Sequence, residues 1–138
     1  MFHSRSIIAH MNDENEIRRL VEEWAKAVRE RNLDGILAHH SSDIVMFDVP
    51  PPFQSVGIDA YRKTWELFFS GTEPDRFDIH ELKIFTGDDV AFCVATMQCS
   101  WKNGGAFEDL DFRLTIGLVK KDGMWMVVHE HHSVPANT

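Results

Sequence analysis

A chain of 138 residues is long enough for one domain with a real core. Hydrophobic residues make up 43% and aromatic residues 11%, which excludes a disordered chain. The 14 Lys and Arg against 22 Asp and Glu leave a formal net charge of -8, which disfavours DNA, RNA and anionic membranes as partners, since each attracts basic patches.

No apolar run reaches the ~18 residues that a membrane span needs. The first ten residues, Met1 to His10, are too short and too weakly apolar for a signal peptide. Residues 1–12 are expected to form a loosely held tail, with Met11 as an alternative start, and residues 136–138 a second tail. One domain spans 13–135. Cys93 and Cys99 fall six residues apart on one expected strand, ~20 Å from each other. A disulfide needs Cα atoms within about 7 Å, so these two cannot pair. Reduced thiols fit a cytoplasmic protein. Neither thiol has a basic neighbour, so both are expected in the core rather than as nucleophiles.

Asp13 to Arg31 reads as a first helix. Ile17, Leu20, Val21, Trp24, Ala25 and Val28 recur at steps of three and four and make one apolar stripe. Asn12 or Asp13 caps it, and Asn32 is a suitable left-handed stop. A short helix from Asp34 to His40 follows. Ile44 to Val49 is the first strand, with Ile44, Met46 and Asp48 on one face and Val45, Phe47 and Val49 on the other. Three prolines, Pro50 to Pro52, end it, because proline cannot donate to a ladder. A third helix runs from Ile58 to Phe69, with Ile58, Tyr61, Trp65, Phe68 and Phe69 inward and Gly71 as its stop.

Four strand-like runs then follow: Arg76 to Phe85, Val90 to Trp101, Leu110 to Lys120 and Met124 to Val134. Gly87-Asp88-Asp89, Asn103-Gly104-Gly105 and Asp122-Gly123 break them with turn chemistry. Helices first and strands afterwards is an α+β pattern, with a mostly antiparallel meander. The last two runs are apolar on both faces, and three helices cannot cover both sides of five strands. The sheet is therefore expected to curl round the helices and to present its outer face to a second copy of the chain.

The last run organises the functional reading. Strict alternation places Trp125, Val127, His129, His131 and Ser133 on one face, apolar at its start and polar at its end. Such a gradient suits the floor of a half-polar cavity; the alternative is a sheet edge whose histidines meet water. Arg113 and Thr115 depend on register. A three-residue loop at Asp122-Gly123 sets Arg113 opposite His131 and Thr115 opposite His129, which groups the polar residues in the pocket. A two-residue loop sets Arg113 opposite His132. Asp48, at the end of an apolar strand face, is a candidate general base, and His129 and His131 are candidate acids, bases or oxyanion donors. Trp24, Met46, Trp65, Phe112 and Trp125 would supply apolar walls. No HExxH or CxxC occurs, so neither a metal nor a cofactor is expected. The alternative is zinc or iron on His129 and His131, with His80 as third ligand.

The order helix, short helix, strand, helix, four antiparallel strands resembles the nuclear transport factor two-like cone. The Asp48-Val-Pro segment, the helix opened by Gly57 and the closing strand Trp125 to Pro135 after a Lys-Asp-Gly turn resemble its SnoaL-like and ketosteroid isomerase-like members. The resemblance covers Asp13 to Pro135 and implies a curved, mostly antiparallel sheet wrapped on three N-terminal helices. It also implies a small apolar carbonyl compound in a closed pocket, with cofactor-independent proton transfer of isomerase, cyclase or dehydratase type. The alternative within the same fold is a non-catalytic ligand-binding or dimerisation domain. In the isomerase pattern the general base falls on Asp48, the oxyanion tyrosine on Trp24 and the neutral acid on or near Thr115. Indole donates one hydrogen bond and threonine cannot replace the acid, so steroid isomerisation is not implied.

Overall fold

The computed structural model describes residues 7–136. Its elements, in order, are α1 (Ile7–Arg29), α2 (Leu33–Leu37), β1 (His40–Phe47), β2 (Ser55–Val56) and α3 (Ile58–Gly71), then β3 (Glu73–Thr86), β4 (Val90–Asn103), β5 (Ala106–Asp109), β6 (Phe112–Lys121) and β7 (Met124–Ser133). The strands form one curved sheet in the order β2-β1-β7-β6-β4-β3, with β5 pairing β4 off this path. All pairings are antiparallel except β1 with β7. The helices pack on the concave face, and the architecture is the α+β cone expected.

The apolar stripe of α1 is buried throughout, from Ile17 to Val28. It meets the inward residues of β4 (Ala91, Cys93, Ala95, Met97), of β6 (Leu114, Ile116, Leu118) and of β7 (Trp125, Val127) in one core. Both cysteines are buried on β4, and burial pushes each thiol up to about 12, which removes them as nucleophiles.

Several boundaries differ from those expected. The first helix begins at Ile7, so residues 7–12 are helical rather than a tail; residues 1–6 lie outside those described. It ends at Arg29, and Arg31 rather than Asn32 takes the left-handed conformation, at φ 56°. Asn32 instead caps α2, its side chain accepting from the Gly35 N–H at 3.1 Å. The short helix stops at Leu37, which frees His40 to start β1. No helix among the described residues is long and apolar enough to cross a membrane.

The largest correction lies in the last hairpin. Lys121 pairs with Met124, so the loop has two residues, Asp122 and Gly123, both left-handed at φ 52° and 76°. That is the mirror-image turn whose twist suits a hairpin. The expected three-residue loop is not formed. The two-residue register does not persist either, because Leu118 faces Val127 while Gly117 faces His129. Val128 is the extra residue of a β-bulge. One extra residue moves everything beyond it to the opposite face. Arg113 therefore faces Ser133 and Thr115 faces His131.

Candidate functional site

Beyond the bulge, the residues of β7 that point inward are Glu130 and His132, both buried, while His129 is half-buried and His131 exposed. β1 agrees with this phase. Met46 pairs with Glu130 on the inner face, and Val45 and Phe47 pair with His129 and His131 on the outer one. Continuing the alternation of β1 brings Asp48 to the inner side, beside His132.

A cavity of about 500 Å³ opens there, between α3 and the wide end of the sheet. Its size lies within the ~300–1,000 Å³ common for small-molecule sites. Trp65 and Phe68 of α3, Phe77 of β3, Trp101 of β4 and Phe112 of β6 give it aromatic walls. The three prolines after Asp48 form one side of its mouth. Besides the Cys99 thiol, the ionisable groups in the lining are Asp48 and His132. The His132 ring stacks on Phe112 at 5.1 Å between centroids and 23° between planes. Its Nδ1 stands 3.6 Å from Asp48 Oδ1, and its Nε2 stands 2.9 Å from Glu130 Oε1.

Glu130 is 1% exposed and would be untenable there without partners. It has three. His132 Nε2 reaches Oε1 at 2.9 Å, and His40 Nε2 and the Tyr61 hydroxyl each reach Oε2 at 2.7 Å. Tyr61 in turn accepts from Trp24 Nε1 at 3.0 Å. Burial works against the Glu130 charge, but the hydrogen bonds from His132 and His40 prevail and lower its carboxyl from the ordinary 4.5 to about 2. Burial first, and the Glu130 charge second, push the Tyr61 phenol well above its usual range, so it stays a donor.

The expected site residues are thus dispersed. Asp48 and Trp65 line the cavity. Met46 is buried in the core and does not line it, and Trp24 spends its N–H on Tyr61 rather than on the cavity. Trp125 is buried at the start of β7, where its indole donates to Asp13 at 3.1 Å beside Lys120. His129, His131, Arg113 and Thr115 do not reach the cavity. The bulge turns the two histidines outward, and the register that would have brought Arg113 and Thr115 in is not the one formed. Arg113 Nε donates to Ser133 Oγ at 3.1 Å on the exposed side. His80 lies on β3, separated from β7 by the two strands β6 and β4, so it does not converge with His129 and His131.

Glu130, His132 and His40 escape the sequence reading, which places Tyr61 inward on α3 but gives it no partner. One signal was present. Glu130 and His132 alternate with Met126 and Val128 on what seemed the second face of β7, and an acid on a strand apolar on both sides must find donors.

Fold and pocket together define a nuclear transport factor two-like cone with an aromatic cavity at its open end. The family model for the SnoaL-like domain matches residues 17–137, and the chain belongs to that family. A nuclear transport factor two-like protein of unknown function from Pseudomonas putida is 32% identical over 92% of this chain and 89% of its own, with a TM-score of 0.82. Two more distant structures share the fold. A ketosteroid isomerase-like protein from Erwinia carotovora atroseptica is 20% identical over 86% of this chain and 93% of its own, at TM-score 0.76. A nuclear transport factor two-like protein with a cystatin-like fold from Novosphingobium aromaticivorans is 12% identical over 95% and 87%, at TM-score 0.78. No curated protein matches the chain.

Proposed function

We propose that the chain binds a small apolar carbonyl compound in the aromatic cavity and moves a proton on it without a cofactor, in an isomerase-, cyclase- or dehydratase-type reaction. The observation that carries this reading is the pairing of Asp48 and His132 at 3.6 Å on an otherwise apolar wall. A carboxylate and an imidazole side by side can take a proton from one atom of a ligand and return it to another. Glu130 holds the far nitrogen of His132 and orients the ring. His129 and His131 have no part in this reading.

The test is exchange of protons next to a carbonyl. A panel of aromatic and alicyclic ketones is incubated in heavy water with the protein and followed by NMR. Exchange above the buffer rate is expected with at least one ketone. Asp48→Asn, which keeps shape and removes the base, should fold and still bind that ketone but lose the exchange. Unchanged exchange in Asp48→Asn would remove Asp48 as the base.

A second reading, a binding domain without turnover, draws on one observation. The position matching the isomerase tyrosine is Trp24, whose only donor is used inside the core. Ligand binding with no exchange by any ketone would favour it. In either reading the exposed outer face of the sheet suits a homodimer. Phe85, Phe92 and Val94 stand there half-exposed, with Phe85 and Phe92 stacked at 4.7 Å.

A further inference from the structure

The hydrogen-bond geometry around Glu130 permits a proton count. His40 Nδ1 lies 2.8 Å from the Ala38 carbonyl, and a carbonyl only accepts, so Nδ1 carries a hydrogen. His40 Nε2 lies 2.7 Å from Glu130 Oε2. Glu130, whose carboxyl is lowered, is ionised, and an ionised carboxylate only accepts, so a proton sits on that nitrogen as well. Glu130 Oε2 further receives the Tyr61 hydroxyl, which lies closer to it, at 2.7 Å, than to His40 Nε2, at 3.2 Å, and Oε1 receives His132 Nε2–H, so His40, Tyr61 and His132 all point donors at the carboxylate. The His40 ring also stacks on Tyr61, with centroids 5.0 Å apart and planes 27° apart, a geometry that favours a cation over an aromatic face.

We propose that His40 is a fixed, doubly protonated cation that neutralises Glu130 inside the core, and that it thereby holds His132 as the neutral Nε2–H tautomer with the Nδ1 lone pair facing Asp48. His40 and Tyr61 are positioning residues in this scheme. They touch no ligand and act through Glu130. The groups facing the cluster are Trp24 from α1, Tyr61 from α3, Glu130 and His132 from β7, and Asp48 beyond β1. Glu130 must be neutralised once. With His40 doing so, His132 need not, and its Nδ1 is available to take a proton at the cavity wall. Without His40, the second proton would fall to His132, and Nδ1 would become a donor to Asp48. The value of this arrangement to catalysis rests on the proton-transfer reading above; the proton count itself does not.

The test uses the full chain labelled with 15N-histidine and no ligand. Ring nitrogens are assigned by their loss in His40→Gln and His132→Gln, and the parent spectrum is followed between about pH 5 and 8. Both His40 nitrogens should stay protonated throughout, and at the upper end His132 should show a protonated Nε2 and a bare Nδ1. A bare nitrogen on His40 within that range, or the opposite tautomer of His132, would overturn the proposal. In His40→Gln, His132 should gain the second proton at a pH where the parent's is neutral; an unchanged His132 would count against it. Tyr61→Phe should leave His40 doubly protonated, since the phenol is not the source of the charge; a bare His40 nitrogen in that variant would also count against it. If His40→Gln does not fold, the parent spectrum, assigned through His132→Gln and Tyr61→Phe, decides alone. Absence of ketone exchange would defeat the proposed function and leave these spectra untouched, so the two failures are distinguishable.

Discussion

The two faces of β7 past Val128 hold the same kind of residue under opposite conditions. Inward, Glu130 and His132 are buried, and every polar atom of Glu130 is met by a donor. Outward, His131 is exposed and His129 gives its Nδ1 to the Val45 carbonyl at 2.6 Å, both rings lying edge-on to Phe47. Neighbouring positions on one strand thus differ in whether a charge can leave water. The inner pair needs hydrogen-bond partners from β1 and α3; the outer pair needs only solvent, one backbone carbonyl and one flat apolar neighbour. Chemistry that depends on a perturbed group belongs on the inner side.

The widest expected gap between the faces is in stability. Glu130→Ala leaves the Tyr61 hydroxyl and two imidazoles without their acceptor in the core. Removing one partner of a buried charged cluster costs about 3–5 kcal/mol, and urea denaturation should show a loss of that order. A loss under about 1 kcal/mol would mean that the cluster relaxes or hydrates, and the contrast between the faces would shrink accordingly.

Acid should separate the faces next. The Glu130 carboxyl is lowered from 4.5 to about 2 in the folded state. A group depressed on folding stabilises above its unfolded value and loses that contribution as pH falls through its folded value. The parent should therefore weaken progressively as the pH drops from about 4.5 towards 2. Glu130→Gln, which cannot titrate there, should show a shallower slope in that window by the equivalent of up to one bound proton. Equal slopes would place the acid-sensitive group elsewhere.

Association probes the outer face. Sedimentation at micromolar concentration should give about twice the chain mass of 15.9 kDa. Val94→Lys, which charges the centre of that face, should give the single-chain mass with the cavity intact. A parent that sediments as a monomer would leave the outer residues as plain surface.

The smallest effect is expected at His131. In the Val94→Lys background, His131→Ala should change folding stability by no more than about 0.5 kcal/mol, as at other exposed positions. A loss of 2 kcal/mol or more would show that the outer imidazole is held by contacts as demanding as those of the inner one.

From the sequence alone, periodicity identified the helices and four long strands, because burial of an apolar stripe is written into spacing at 3.6 or 2 residues. It placed Asp48 with Ile44 and Met46, since β1 buries Ile44 and Met46 alike and pairs with β7 without a shift from Val45 to Phe47. The α1 stripe, the aromatic α3 and the unpaired cysteines were equally legible, as each depends only on local pattern. The short strands β2 and β5 were not, since two and four residues carry little periodicity.

What only the tertiary structure decided is which imidazoles look inward. Val128 is a good strand residue with or without a bulge, so no local propensity announces that it is the extra one. Its extra position follows from how the curved β6, β7 and β1 must pair, and it exchanges His129 and His131 for Glu130 and His132 at the cavity. The partners of Glu130 are likewise settled at long range. His40 is 90 residues away and Tyr61 is 69, brought in by the parallel pairing of β1 with β7 and by α3 packing across them. A buried carboxylate demands donors but does not say from where; that choice belongs to the topology, because only the folded chain brings those three elements to one point.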